Sequence, residues 1–199
     1  MPTWMKYTFW MLFGSWLLCI CSGAEAQAAC APLPPDELRD LVSSGLKKLR
    51  FDALTEARLL FTHTVERLEC LEGVVSPQLL AHVWLGLACV RLRLQDVEGT
   101  RVALRRALVL HPGARWSSEL GQQGALLLEL ERIKLQRSTK QHWNPPRLRE
   151  GETLFLNGER VQRRWGGYWL MPGPQLLQVV VGERVVLTHW WDPTPTYEE

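Results

Sequence analysis

Five histidines, His63, His82, His111, His142 and His189, lie singly along the 199-residue chain. A zinc site needs convergent ligands, as in His-Glu-x-x-His or closely spaced cysteine pairs, and neither pattern occurs. The imidazoles therefore read as surface or capping groups. No Gly-x-Ser-x-Gly elbow offers a nucleophile, and no Gly-rich loop ending in Lys-Ser or Lys-Thr offers a phosphate cradle. Gly121-Gln122-Gln123-Gly124 is only a pair of glycines at a helix start. Glu129 and Glu131, two apart on a helix, point to different faces and cannot work as an acid and base couple. These residue types predict a protein that is not an enzyme and uses no cofactor or metal.

Binding is the chemistry that remains. Trp165, Tyr168, Trp169, Trp190 and Trp191 concentrate large rings in a short stretch. On a regular strand Trp190 and Trp191 face opposite ways, so one of them leaves its own sheet's core. That ring either anchors a protein or sugar or docks the stretch onto the rest of the chain. The 23 basic and 21 acidic residues are intermixed, which argues against a nucleic-acid binder.

The elements that position these groups fall into sections. Residues 1–28 read as a signal peptide: Lys6, an apolar run from Tyr7 to Ile20, then Ala24-Glu25-Ala26 or Ala26-Gln27-Ala28 for cleavage. The alternative is a retained anchor, but the run is shorter than the ~20 residues of a spanning helix. Export predicts an oxidising compartment, where Cys30 and Cys70 are the candidate bridge and Cys89 a buried small hydrophobe. Pro32, Pro34 and Pro35 block a helix, and Asp36 and Glu37 then suit a helix N-terminus. From there to about Lys140, apolar residues recur at helical spacing. Ser76 and Pro77 are placed to cap and open a helix after Gly73. Leu120, Leu126, Leu127, Leu130, Ile133 and Leu135 are available for burial on a last helix, with Glu129, Glu131, Arg132 and Lys134 for solvent. Asn144-Pro145-Pro146 marks a linker over 141–151. Residues 152–192 then read as a small antiparallel β module, with Asn157-Gly158 and Gly182-Glu183-Arg184 as turns and a tail over 193–199. The fold class expected is α+β, about five helices followed by a small sheet. So short a sheet buries too little alone, and docking on the helices is the simplest remedy.

Trp84-x2-Leu87-Ala88-x2-Arg91 and Thr100-x3-Leu104, followed by Ala107 and Pro112, line up with an earlier set: Leu41-x2-Ser44-Gly45-x2-Lys48 and Ala57-x3-Phe61 precede the first two motifs at a constant offset of 43 residues. Over 38–137 this pattern resembles the tetratricopeptide family, whose period is about 34. Arg91, Lys48 and Thr100 depart from its usual aromatic or small residues, and a plain antiparallel bundle is the alternative. Gly45 and Ala88 would then lie where helices approach closely, with Phe61, Leu104 and Trp84 filling the wedge between units. The resemblance implies an inner surface at Arg39, Val42, Leu46, Arg50, His82, Leu85, Cys89 and Arg93. Arginines flanking an apolar strip suit an acidic or carboxylate-ended partner, unless they simply pack against the β module. Arg101, Arg105 and Arg106, on the other helix, read as a solvated face.

Over 152–191, the Asn-Gly strand, the Met171-Pro172-Gly173-Pro174 turn and the strand through Gln178-Val179-Val180-Val181 resemble the PEGA-type module of exported bacterial proteins. These resemblances imply an exported adaptor or scaffold of a Gram-negative periplasm or envelope, holding another envelope protein. The alternative is a cell-wall glycan binder acting through Trp190 and Trp191. Neither implies a membrane span after cleavage.

Overall fold

The computed structural model describes residues 31–117, 122–162 and 167–192. The segment read as a signal peptide, Cys30, Leu120, Trp165 and the segment read as a tail lie outside them. Within 31–199, one compact unit, the described chain is α+β: five α-helices followed by two small antiparallel sheets.

Helix α1 (Pro35–Arg50) opens with Pro35, carries Asp36 and Glu37 in its first turn and Lys47, Lys48 and Arg50 in its last, so both ends complement the helix dipole. Helix α2 (Leu54–Glu66) runs into a 3-10 turn, Arg67–Cys70. Ser76 then accepts from the Leu79 amide at 3.3 Å and Pro77 starts α3 (Pro77–Arg93), as the sequence predicts. Asp96 caps α4 (Val97–Leu110) through the Gly99 amide at 2.9 Å. Helix α5 (Gln122–Arg137) follows. Each helix packs on the next, and α3 also touches α1 and α5.

Phe61 of α2, fully buried, is the junction of the first three helices. A Cβ on Gly45 of α1 would stand 2.5 Å from its Cζ, and a Cβ on Gly86 of α3 would overlap the same ring from the other side. Gly45 thus has the close approach expected of it. On α3 the expected residue, Ala88, is buried and packed, but Gly86 is the position where only a hydrogen fits.

The β section contains β1 (Gln141–Trp143), β2 (Glu152–Leu156), β3 (Glu159–Arg160), β4 (Tyr168–Leu170), β5 (Gln175–Val181) and β6 (Arg184–Trp191). One sheet has the order β3-β2-β5-β6, and β1 pairs with β4 as a separate ribbon. The segment read as linker therefore contains a strand, held by the register of Gln141 on Leu170 and Trp143 on Tyr168.

Sheet and helices share one core. Asn157 and Gly158 form the β2–β3 turn with φ of 53° and 83°, and this tip is pushed into the helical section. The buried Asn157 amide donates to Val109 O at 3.3 Å and to Gln175 Oε1 at 2.6 Å, while its carbonyl oxygen accepts from the Leu176 amide at 2.8 Å. Leu176, fully buried, belongs to the same apolar cluster as the helices. Gln178 donates to Gly73 O and Thr188 to Leu71 O, both at 3.3 Å. Docking thus supplies the burial that the sheet lacks alone.

Candidate functional site

The expected inner-surface residues do not form one strip. Val42 and Leu85 are each 5% exposed and Leu46 packs partly buried on the core, so these apolar residues are spent on folding. Cys89 is a buried free thiol whose pKa burial pushes up, against the weaker opposing influence of Arg93. Arg93 donates to Leu49 O at 2.9 Å and Asp52 Oδ1 at 3.3 Å, tying the end of α3 to the end of α1. Arg39, Arg50 and His82 remain exposed on α1 and α3. Arg39 pairs with Asp36 one turn back. Partial burial lowers the His82 pKa, with the neighbouring His111 adding to it.

The α4 arginines, read as a solvated face, stay partly exposed, but two of them also make specific contacts. Arg105 donates through Nε and Nη2 to Glu131 Oε2 at 3.2 and 2.8 Å, and Lys134 donates to Glu131 Oε1 at 2.8 Å. Glu131 is 1% exposed, not a solvent group, whereas Leu126, Leu130 and Ile133 are exposed. The inward stripe of α5 is Gly124, Leu128, Glu131 and Leu135. Arg106 lies over the Trp84 ring, 5.7 Å from its centroid. Burial lowers its pKa, with the Asp192 charge opposing. Arg101 lies 3.4 Å from Glu98 at the rim.

Trp190 and Trp191 are both half-buried. Trp190 packs on the core and meets Trp84 edge to face at 6.4 Å, while Trp191 tilts against Trp143 at 5.4 Å. Trp190 thus contributes to docking the module on the helices, one of the two roles the sequence offers for it, whereas the ring contact of Trp191 stays within the β section. Cys70 is disulfide-bonded, and Cys30, the partner expected for it, lies outside the described residues.

Trp169 is the exposed ring among the described tryptophans, at 66%. It lines a cavity of about 240 Å³ where the end of α4, the β2–β3 turn and β4 converge. His111, Lys140, Glu159 and Met171 share that lining. Sequence alternation carried the signal: Leu170 is buried, so its neighbour on β4 must face out.

No family model, curated protein or solved structure matches the chain. Among the described residues, no helix is long and apolar enough to cross a membrane.

Proposed function

We propose that this chain is an exported, non-catalytic adaptor of the Gram-negative periplasm or envelope, a tetratricopeptide-like helical stack carrying a docked PEGA-like sheet. The observation that supports this reading is the sequence of contacts α1 to α3 to α5, which sets alternate helices side by side as in a stack of hairpins. Arg39, Arg50 and His82 are exposed polar residues of the predicted partner surface, while the likewise exposed Arg93 is committed to Leu49 O and Asp52. An acidic segment of another envelope protein suits the two guanidinium groups.

The test is periplasmic crosslinking with wild type and with the Arg39→Glu, Arg50→Glu double variant. Wild type should capture a discrete neighbour and the variant should lose it by tenfold or more, roughly the effect of two interface charge reversals. Equal capture by a folded double variant would overturn the α1 surface. A wild type that crosslinks to nothing would overturn the adaptor itself.

A further inference from the structure

We propose that the cavity beside Trp169 is a subsite for one neutral saccharide ring. This goes beyond the adaptor reading and does not depend on it.

The platform comes first. An indole is an expensive group to leave in water, since burying such a ring removes about 150–250 Å² of surface from solvent. Trp84, Trp143, Trp190 and Trp191 all find packing partners in the fold, while Trp169 leaves 66% of its surface open. It is nonetheless held: the His142 ring, its cross-strand neighbour, meets it edge to face at 5.2 Å. An exposed but fixed flat ring stacks on the apolar face of a pyranose with little entropy to lose.

The surround supplies complementary polarity. Lys140 offers donors only and Glu159 acceptors only, and both line the cavity with Trp169. A hydroxyl both donates and accepts, so adjacent sugar hydroxyls satisfy both rims at once. One cation and one anion leave the rim without a strong net charge, which disfavours a polyanion. The floor is stiff: the Asn157 amide is committed to Val109 and Gln175, and Gln175 Nε2 donates to Met171 O at 3.0 Å and Gly173 O at 3.1 Å. Such a floor excludes rearrangement and gives the ligand a preformed wall.

Size selects among ligands. About 240 Å³ is below the roughly 300–1,000 Å³ of sites enclosing drug-sized molecules, and it suits a single ring better than a peptide segment. Among the described residues, the larger cleft of about 570 Å³ under Pro145 and Pro146 is lined by one charged group, Arg147, and by no aromatic ring.

Binding is measured by calorimetry with a neutral N-acetylglucosamine tetramer and a neutral glucose tetramer, and by sedimentation with purified peptidoglycan sacculi. Heparin serves as the anionic control. Wild type should bind at least one neutral tetramer, and sedimentation will distinguish wall glycan from another hexose polymer as its source. Trp169→Ala should weaken binding at least about tenfold, as for an aromatic anchor. Trp169→Phe should recover most of it, and the Lys140→Ala, Glu159→Ala double variant should lose about three- to tenfold, in line with two rim hydrogen bonds. Trp169 is exposed, so circular dichroism should stay unchanged in its variants. No affinity for either neutral tetramer, preference for heparin, or undiminished binding by Trp169→Ala would each overturn the proposal. Loss of the crosslinked neighbour in the α1 variant has no bearing on these outcomes.

Discussion

The Arg105 guanidinium holds the Glu131 carboxylate through two hydrogen bonds, 3.2 and 2.8 Å long, across the α4–α5 interface. The carboxylate is 1% exposed and the arginine side chain 49%, so the pair is half inside the protein. Removing the arginine leaves a buried charge with Lys134 as its remaining partner. Arg105→Ala should therefore cost about 2 kcal/mol, below the 3–5 kcal/mol of a fully buried pair because solvent screens the exposed half. Glu131→Met should cost distinctly less, since the freed arginine reaches water. Chemical denaturation of both variants checks the order, and an equal loss would contradict it.

The same carboxylate sets a pH dependence. Burial raises the Glu131 pKa, but the Lys134 and Arg105 hydrogen bonds and charges outweigh it, and the net shift is downward. A lowered folded pKa means that the unfolded chain takes up the proton first. Its contribution is complete above the ordinary glutamate value of about 4.3 and disappears as pH falls below that value. The stability gap between wild type and Glu131→Gln should be constant from pH 7 to 5 and shrink towards pH 3. A gap that widens on acidification would contradict the assignment.

Gly86→Ala is a substitution that helix propensity favours by about 1 kcal/mol. Phe61 reverses the sign, because the new methyl would overlap its ring from the α3 side. The expected net loss is about 1–3 kcal/mol, the usual cost of overpacking. Phe61→Leu should be partly suppressive, giving a double variant more stable than the sum of the two single losses predicts. Simple additivity would mean that the ring moves aside freely.

Gly158→Ala meets two obstacles at once, a φ of 83° and the Val75 carbonyl oxygen against the new methyl. Asn157→Ala strips a buried turn of its side-chain hydrogen bonds to Val109, Gln175 and Leu176 and should cost about 1–3 kcal/mol. Both variants should speed protease cleavage between residues 141 and 151 relative to wild type. Unchanged cleavage would show that the tip does not hold the sheet on the helices.

Local chemistry made much of this architecture readable. Ser76 and Pro77 announce a helix start by side-chain type alone, and Asn157-Gly158 announces a tight turn because both residues tolerate positive φ. Facing was harder. Leucine content pointed α5 towards Leu126, Leu130 and Ile133, yet the tertiary partner Arg105 drew Glu131 inward and rotated the buried stripe. Local pattern makes Arg93 a recognition group, although its targets, a helix-end carbonyl and Asp52, are 44 and 41 residues away and invisible to any local pattern. Strand β1 is three residues long and exists through pairing with β4, so no period within it could have signalled a strand. Trp169 was the opposite case, legible from alternation but overshadowed by the more conspicuous Trp190-Trp191 pair.

The Asn157-Gly158 tip threads its hydrogen bonds into Val109 while Leu176 joins the interior of the helices. The two halves should consequently melt as a single body, giving one calorimetric peak, and two separated peaks would contradict the shared core. A graft of either half onto another scaffold must bring its mate along or rebuild the seam.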